Sequence, residues 1–256
     1  MNRPDATPDP AAPNLFEGLV GALQFLTILP LGPPARFLPG PVFAFFPVAG
    51  IVIGALVSVF DALLGLFFPA PVVAALDVAL LAAVTGALHL DGLADTADGL
   101  LGAHRPARAL EIMKDSRVGA MGVVAVVVVL GVKAAAIGAL THQRALALIL
   151  APALARCAMM VAIGRLPYLR ASGTGQVFFQ TPLGPRHFCA VLLPLVLSVF
   201  LGWRAAVLWA VWAGVLWTAL ACYRRRLGGI TGDMLGALGE GLEALLLVAL
   251  ALGGTS

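Results

Sequence analysis

VGAMGVVAVVVVLGVKAAAIGAL, residues 118 to 140, holds a single charged residue, Lys133. About 20 apolar residues suffice to cross a hydrocarbon layer roughly 30 Å thick, so this stretch predicts a membrane helix. Comparable runs fall at 14 to 30, 42 to 68, 72 to 90, 145 to 164, 187 to 203, 205 to 222 and 235 to 252. They are continuous Leu, Ala and Val with interspersed Gly, without the apolar/polar alternation of a membrane barrel. The fold class they predict is all-α: a polytopic transmembrane helix bundle of about 7 to 8 spans. The first run carries Glu17 and Gln24 and ends at Pro30, so it either spans or lies in the interface.

Composition agrees. Of 256 residues, 61% are hydrophobic and 11% charged, against roughly 45 to 50% and 25% for soluble domains. The Pro- and Asp-rich residues 1 to 13 read as a disordered tail, and 14 to 256 as a single integral membrane domain. Cys157, Cys189 and Cys222 form no metal or disulfide spacing and read as small apolar fillers. The net charge of +3 needs no nucleic acid to explain it. The sequence leaves room for a homo-oligomer.

Eleven basic residues fall in one set of connections: Arg36, then Arg105, Arg108, Lys114 and Arg117, then Arg165, Arg170 and Arg186, then Arg224 to Arg226. The opposite set holds only Arg144 and Arg204. The positive-inside rule places the first set in the cytoplasm. All segments with unusual polar chemistry lie on that same side. Tyr168, Trp203, Trp217 and Tyr223 sit near helix ends as interfacial anchors. Gly50-x-x-x-Gly54 suits close helix packing.

The chemistry-bearing segment is HLDGLADTADGL, residues 89 to 100. Asp91, Asp95 and Asp98 are spaced by four and three, which puts their carboxylates within an arc of about 60° on one helix face. Adjacent carboxylates at a membrane boundary repel one another unless a cation reverses the effect, and hard oxygen donors suit Mg²⁺. A second helix is expected from Ala107, with Glu111 and Asp115 on one face. Facing acidic edges of this kind suit a metal pair for phosphoryl transfer. Lys114 and Arg117 would hold a diphosphate or else anchor the chain to anionic lipid.

Thr231 and Asp233 contact substrate or cap the last helix. His89 lies within reach of the acidic edge or bonds a neighbour. Gly173-Thr174-Gly175 reads as a turn. Glu240 and Glu243 lie deep in the last run, where unpaired acids are costly, and should face the bundle interior near Arg156 or Lys133.

The run Asp95-x-x-Asp98-Gly99, then Glu111-x-x-x-Asp115, resembles the signature of the CDP-alcohol phosphotransferases, D-x-x-D-G-x-x-A-R then G-x-x-x-D-x-x-x-D. It departs in three ways: Ala103 and Arg105 are displaced, Ala107 replaces a Gly, and Glu111 replaces an Asp. By this resemblance Asp95, Asp98 and Glu111 hold the metals, and Asp115 is the general base or a further ligand. The strings QFLTILP (24 to 30), FFPVAGIVIGAL (45 to 56), HLDGLADTADGL, LEIMKDSRVGAMG (110 to 122), GTGQVFF (173 to 179) and GGITGDMLGALGE (228 to 240) together resemble the cobalamin synthase family across nearly the whole chain.

That resemblance implies an Mg²⁺-dependent transferase of the bacterial cytoplasmic (inner) membrane, with its site facing the cytoplasm. It would join adenosylcobinamide-GDP to α-ribazole or α-ribazole 5′-phosphate and release GMP. Taking the resemblance and the spacing together, Asp115 and Asp98 are the candidate catalytic residues, Asp91, Asp95, Asp98 and Glu111 the candidate metal ligands, and His89, Lys114, Arg117, Thr231 and Asp233 the candidate substrate contacts. A CDP-alcohol phosphotransferase of phospholipid synthesis is the alternative. A transporter is a more distant one, since transporters place their charges near the midplane of repeated halves.

Overall fold

The computed structural model describes residues 15–33, 37–102 and 105–252. The tail expected over 1 to 13, and Arg36 of the charge comparison, lie outside them. In chain order the helices are α1 (Leu15–Leu26), α2 (Pro39–Ala44), α3 (Phe46–Leu64), α4 (Ala70–Val84), α5 (Leu88–Gly102), α6 (Pro106–Ile112), α7 (Ala120–Gly138), α8 (Arg144–Arg165), α9 (Gln176–Gln180), α10 (Leu192–Ser198), α11 (Arg204–Leu227) and α12 (Gly232–Leu250). Tighter 3₁₀ turns, Pro185–Val191 and Val199–Leu201, flank α10. Among the described residues no strand forms, and Tyr168 meets Ile230 in an isolated bridge.

Four helices are long and apolar enough to cross a membrane: α3, α7, α8 and α11. The bent pair α4 and α5 would make a fifth. The sequence reading of seven or eight spans is not reached by length and apolarity. At 1.5 Å per residue the 12-residue α1 is only about 18 Å long. The run at 187 to 203 breaks into 3₁₀, α and 3₁₀ pieces. The three acids Asp233, Glu240 and Glu243 make α12 less apolar.

Helix α8 is the axis of the bundle: 83% of its apolar window is buried inside the protein, against 22% for α7 and 11% for α11, whose apolar flanks are exposed. The largest helix interface is α3 on α8. Pro152 lacks an N–H, so the Leu148 carbonyl has no donor from within α8. Gly54 packs onto that carbonyl so closely that an added Cβ would lie 2.4 Å from it, and one on Gly50 would lie 2.6 Å from the Ala153 Cα. Small residues thus let two backbones approach, as the spacing suggested. Gly54→Leu is expected to wedge α3 off α8 and cost about 1 to 3 kcal/mol. Thermal unfolding in detergent measures this, and an unchanged melting temperature would refute the contact.

The predicted span over 72 to 90 is in fact two helices at 91° to each other. Gly86 (φ 59°) and Ala87 (φ 55°) take left-handed backbone and end α4. The Ala87 N–H donates to the Ala82 carbonyl (2.8 Å), and the N–H of Ile28, just past α1, donates to Val84 (2.8 Å). The Ala82 and Val84 carbonyls at the break therefore find partners inside the protein.

Two ionic clusters brace the bundle. In its interior Lys133 of α7 donates to Glu240 (2.6 Å) and Glu243 (2.8 Å) of α12, and Arg156 of α8 donates to Glu243 (2.9 Å). Those are the partners the sequence pointed to, and two cations against two anions leave the cluster neutral. At the other cluster Arg144 binds Asp61 of α3 (2.7 and 2.9 Å) and reaches Asp77 of α4 (3.6 Å). Cys157 is a buried filler, whereas Cys189 and Cys222 are exposed on the bundle surface.

Candidate active site

Helix α5 carries Asp91, Asp95 and Asp98 as their spacing required, and it is held between α12 and α7. Against α12 the fit is close: a Cβ on Gly92 would lie 2.7 Å from the Asp233 carbonyl oxygen, and one on Gly236 would lie 3.1 Å from His89. Against α7, the Asp98 carboxylate accepts the N–H groups of Gly119 (2.7 Å) and Gly122 (2.9 Å) and so caps that helix. Sequence reasoning gave Asp98 a metal and a catalytic role and missed this anchoring. Two N–H bonds leave the carboxylate with free lone pairs, so both roles are compatible.

Asp95 is half-buried among the carboxylates of Asp91, Asp98 and Asp233, with Arg170 as the neighbouring cation. Arg170 sits in the connection after α8, which the Tyr168–Ile230 bridge staples to the start of α12: Leu169 N–H donates to Ile230 (3.0 Å), and Ile230 N–H donates to Pro167 (2.9 Å). So placed, Arg170 pairs with Asp233 and donates to the Met113 carbonyl (2.8 Å), tying α12 to the end of α6. Burial pushes the Tyr168 hydroxyl above its ordinary range. Tyr168 lines the cleft described next as well as standing near a helix end.

Between α5, the end of α8, the Tyr168–Gly175 connection and the start of α12 opens a cleft. It gathers residues from five of the six strings singled out above: Phe25, Phe46, His89 and Asp91, the Gly173–Gly175 turn with Phe178, and Gly232 with Asp233. His89 is buried, with Arg156, Glu243 and Lys133 as its charged neighbours. Thr231 is buried and caps α12, its hydroxyl accepting the Met234 N–H (3.3 Å), while Asp233 faces the cleft. Thr231 thus takes the capping position, and Asp233 lines the cleft.

The second acidic edge does not form as expected. Helix α6 ends at Ile112, so Glu111 and Asp115 share no helical face. Glu111 pairs at the surface with Arg108 (3.0 Å). Asp115 lies beyond the helix and takes the backbone N–H (3.1 Å) and the guanidinium (3.0 and 2.7 Å) of Arg117, which hold its carboxyl down at about 2. Lys114 is exposed, and neither it nor Arg117 lines the cleft. The local cause is charge spacing: with a cation two or three residues away, each acid closes a short surface pair.

For a metal, the donor chemistry fits a hard divalent cation: four carboxylates, those of Asp91, Asp95, Asp98 and Asp233, stand near one another with Arg170 as their cation. Among the described residues no three His, Cys, Asp or Glu side chains converge into a closed cage, so this is an open acidic face. Sequence reasoning missed Arg170 and the rings of Phe25, Phe46 and Phe178. The three phenylalanines were within reach, because each lies inside one of the strings quoted.

The chain matches the family model of cobalamin-5-phosphate synthase over residues 18–251. Among similar proteins are the adenosylcobinamide-GDP ribazoletransferases of Stutzerimonas stutzeri, 42% identical over 91% of this chain and 97% of that one, and of Syntrophobacter fumaroxidans, 41% over 90% and 96%. That of Synechococcus elongatus is 37% identical over 93% and 98%. No solved structure matches. With a family model covering almost the whole described chain, and relatives this similar end to end, the chain belongs to the cobalamin-5-phosphate synthase family.

Proposed function

We propose that this protein is an adenosylcobinamide-GDP ribazoletransferase acting at the end of cobalamin synthesis. The observation that carries this reading is the convergence of strings scattered from residue 24 to residue 240 on one cleft beside one acidic face. In the reaction the ribazole 3′-hydroxyl oxygen bonds to the phosphorus on the cobinamide side. The bond from that phosphorus to the oxygen of GMP breaks, and the hydroxyl proton leaves to a carboxylate or to water. Bound Mg²⁺ would neutralise the charge that develops on the phosphates. Asp91, Asp95 and Asp98 are the residues to hold it. Glu111 is left out because its partner is Arg108 at the surface. Arg170, fixed by Asp233 and the Met113 carbonyl, offers a guanidinium to a phosphate at the cleft. Lys114 and Arg117 remain candidates for the distal phosphate of the donor. Asp115, held in its pair with Arg117, makes a weak base and serves better to orient that guanidinium.

The CDP-alcohol phosphotransferase reading shares the metal chemistry but lacks support from the relatives. Purified protein given adenosylcobinamide-GDP, α-ribazole and Mg²⁺ should release GMP, a chelator should stop the release, and fresh Mg²⁺ should restore it. A CDP-alcohol donor consumed in place of adenosylcobinamide-GDP would overturn the reading.

The reading also places the site on the cytoplasmic side of the inner membrane. The eleven-to-two charge bias supports it. Counting the 185–201 segment and α12 with the five spans above gives seven, an odd number that carries the chain across. Cysteines placed singly beside Arg105, Arg170 and Arg225, in a background without the native three, should stay unlabelled by an impermeant thiol reagent in intact cells. Labelling at all three would reverse the orientation.

A further inference from the structure

The two ends of the cleft differ in chemistry. Its mouth carries Asp91, Arg170, Thr174 and Asp233, and its inner wall is built of phenylalanine. The Phe25 and Phe46 rings stack at 5.9 Å between centroids, and Phe178 meets both edge-on at 5.1 and 5.2 Å. Phe46 and Phe178 are 1% and 2% exposed and so are fixed in the core, while Phe25 is only half-buried and lends part of its ring to the cleft. An occupant must be flat and apolar at its inner end and polar at its outer end.

The two substrates offer four bulky pieces for that place: guanine, the adenine of the adenosyl ligand, the corrin ring and the ribazole base. Guanine, and the adenine of the adenosyl ligand, would press polar edges against phenyl rings where, among the buried lining side chains, only His89 is polar, leaving most of their donors and acceptors unpaired. The corrin ring carries a fringe of amides and would meet the same penalty. The benzimidazole base of ribazole has a hydrocarbon edge and a ribose at the other end. We infer that this cleft is the acceptor subsite, with the ribazole base against the Phe25 ring, which Phe46 and Phe178 hold from behind, and the ribose at the mouth beside Asp91 and Arg170. The inference rests on the transferase reading above and adds to it which substrate occupies the cleft and why an apolar base is preferred. The donor then approaches the acidic face from the cytoplasm, outside the cleft.

The test uses the full chain in detergent with adenosylcobinamide-GDP and Mg²⁺, following GMP. The α-riboside of adenine, whose amino group would be buried unpaired, should show a kcat/KM at least about tenfold below that of α-ribazole. Phe25→Ala should raise the KM for α-ribazole by about tenfold while the donor KM stays within about twofold, and Phe25→Tyr should restore most of the loss. Calorimetric titration of the wild-type protein with α-ribazole alone should show saturable binding whatever the variants do. A Phe25→Ala change confined to the donor KM, equal use of the two acceptors, or no binding of α-ribazole would each overturn the subsite while leaving the transferase reading in place. Absence of GMP from the wild-type protein with either acceptor would sink both.

Discussion

Asp95→Asn is expected to fold normally and to lose turnover by about a thousandfold, the scale on which removing one charge-stabilising group acts. Asp95 is half-buried among three other carboxylates and makes no structural hydrogen bond comparable to that of Asp98, so a change at nearly constant volume removes a charge and little else. Asp98→Asn should lose turnover on the same scale and also lose about 1 kcal/mol of stability. Its side chain would turn a donor toward one of the two N–H groups that the carboxylate now accepts. GMP release at saturating substrate, set beside thermal melting of the same preparations, separates the two effects. Wild-type turnover in Asp95→Asn would remove the metal face from the mechanism.

Glu243→Leu should be the most damaging single change to stability, by about 3 to 5 kcal/mol, because it strips a buried cation of its partner. Glu243 joins both Lys133 (2.8 Å) and Arg156 (2.9 Å), and its loss leaves the cluster with two positive charges against one. Glu240→Leu should cost less, since Lys133 keeps Glu243. Adding Arg156→Met to Glu243→Leu restores neutrality and should recover much of the lost stability, a coupling that thermal melting of the single and double variants measures directly. A double variant no more stable than Glu243→Leu alone would show that packing, not charge, holds these helices.

How much of this was legible in the sequence follows from the physics of each element. The acidic face of α5 was readable because helical periodicity alone sets which side chains share a face. The interior cluster was readable because lipid offers four charged side chains no partners but one another. The close contact of α3 and α8 showed in Gly50 and Gly54. The turn at Thr85 to Ala87 did not show: an apolar run containing Thr-Gly-Ala has the composition of an unbroken span, and only tertiary contacts such as Ile28 N–H to Val84 make the break tolerable. The early end of α6 was hidden because Glu111 and Asp115 are spaced as a helix would space them, while Arg108 and Arg117 draw each into a local pair. Arg170 looked like one more inside charge. Its role depends on a bridge between residues some sixty positions apart, which no local pattern encodes.

The packing of α5 against α12 bears on the order in which the molecule is made. Helix α5 leaves the ribosome early, with three acids and a sharp bend behind it, and by itself it is a poor candidate to stay in lipid. The surface that accepts it, at Asp233 and Gly236, belongs to α12, made about 140 residues later. The cleft therefore comes into being only after α12 has been made and packs onto α5, with the bundle around α8 already in place to receive it. A nascent chain cut short before α12 has Asp91, Asp95 and Asp98 in place but lacks Asp233 and the wall of the cleft that α12 supplies, so its acids have no enclosed site to act on.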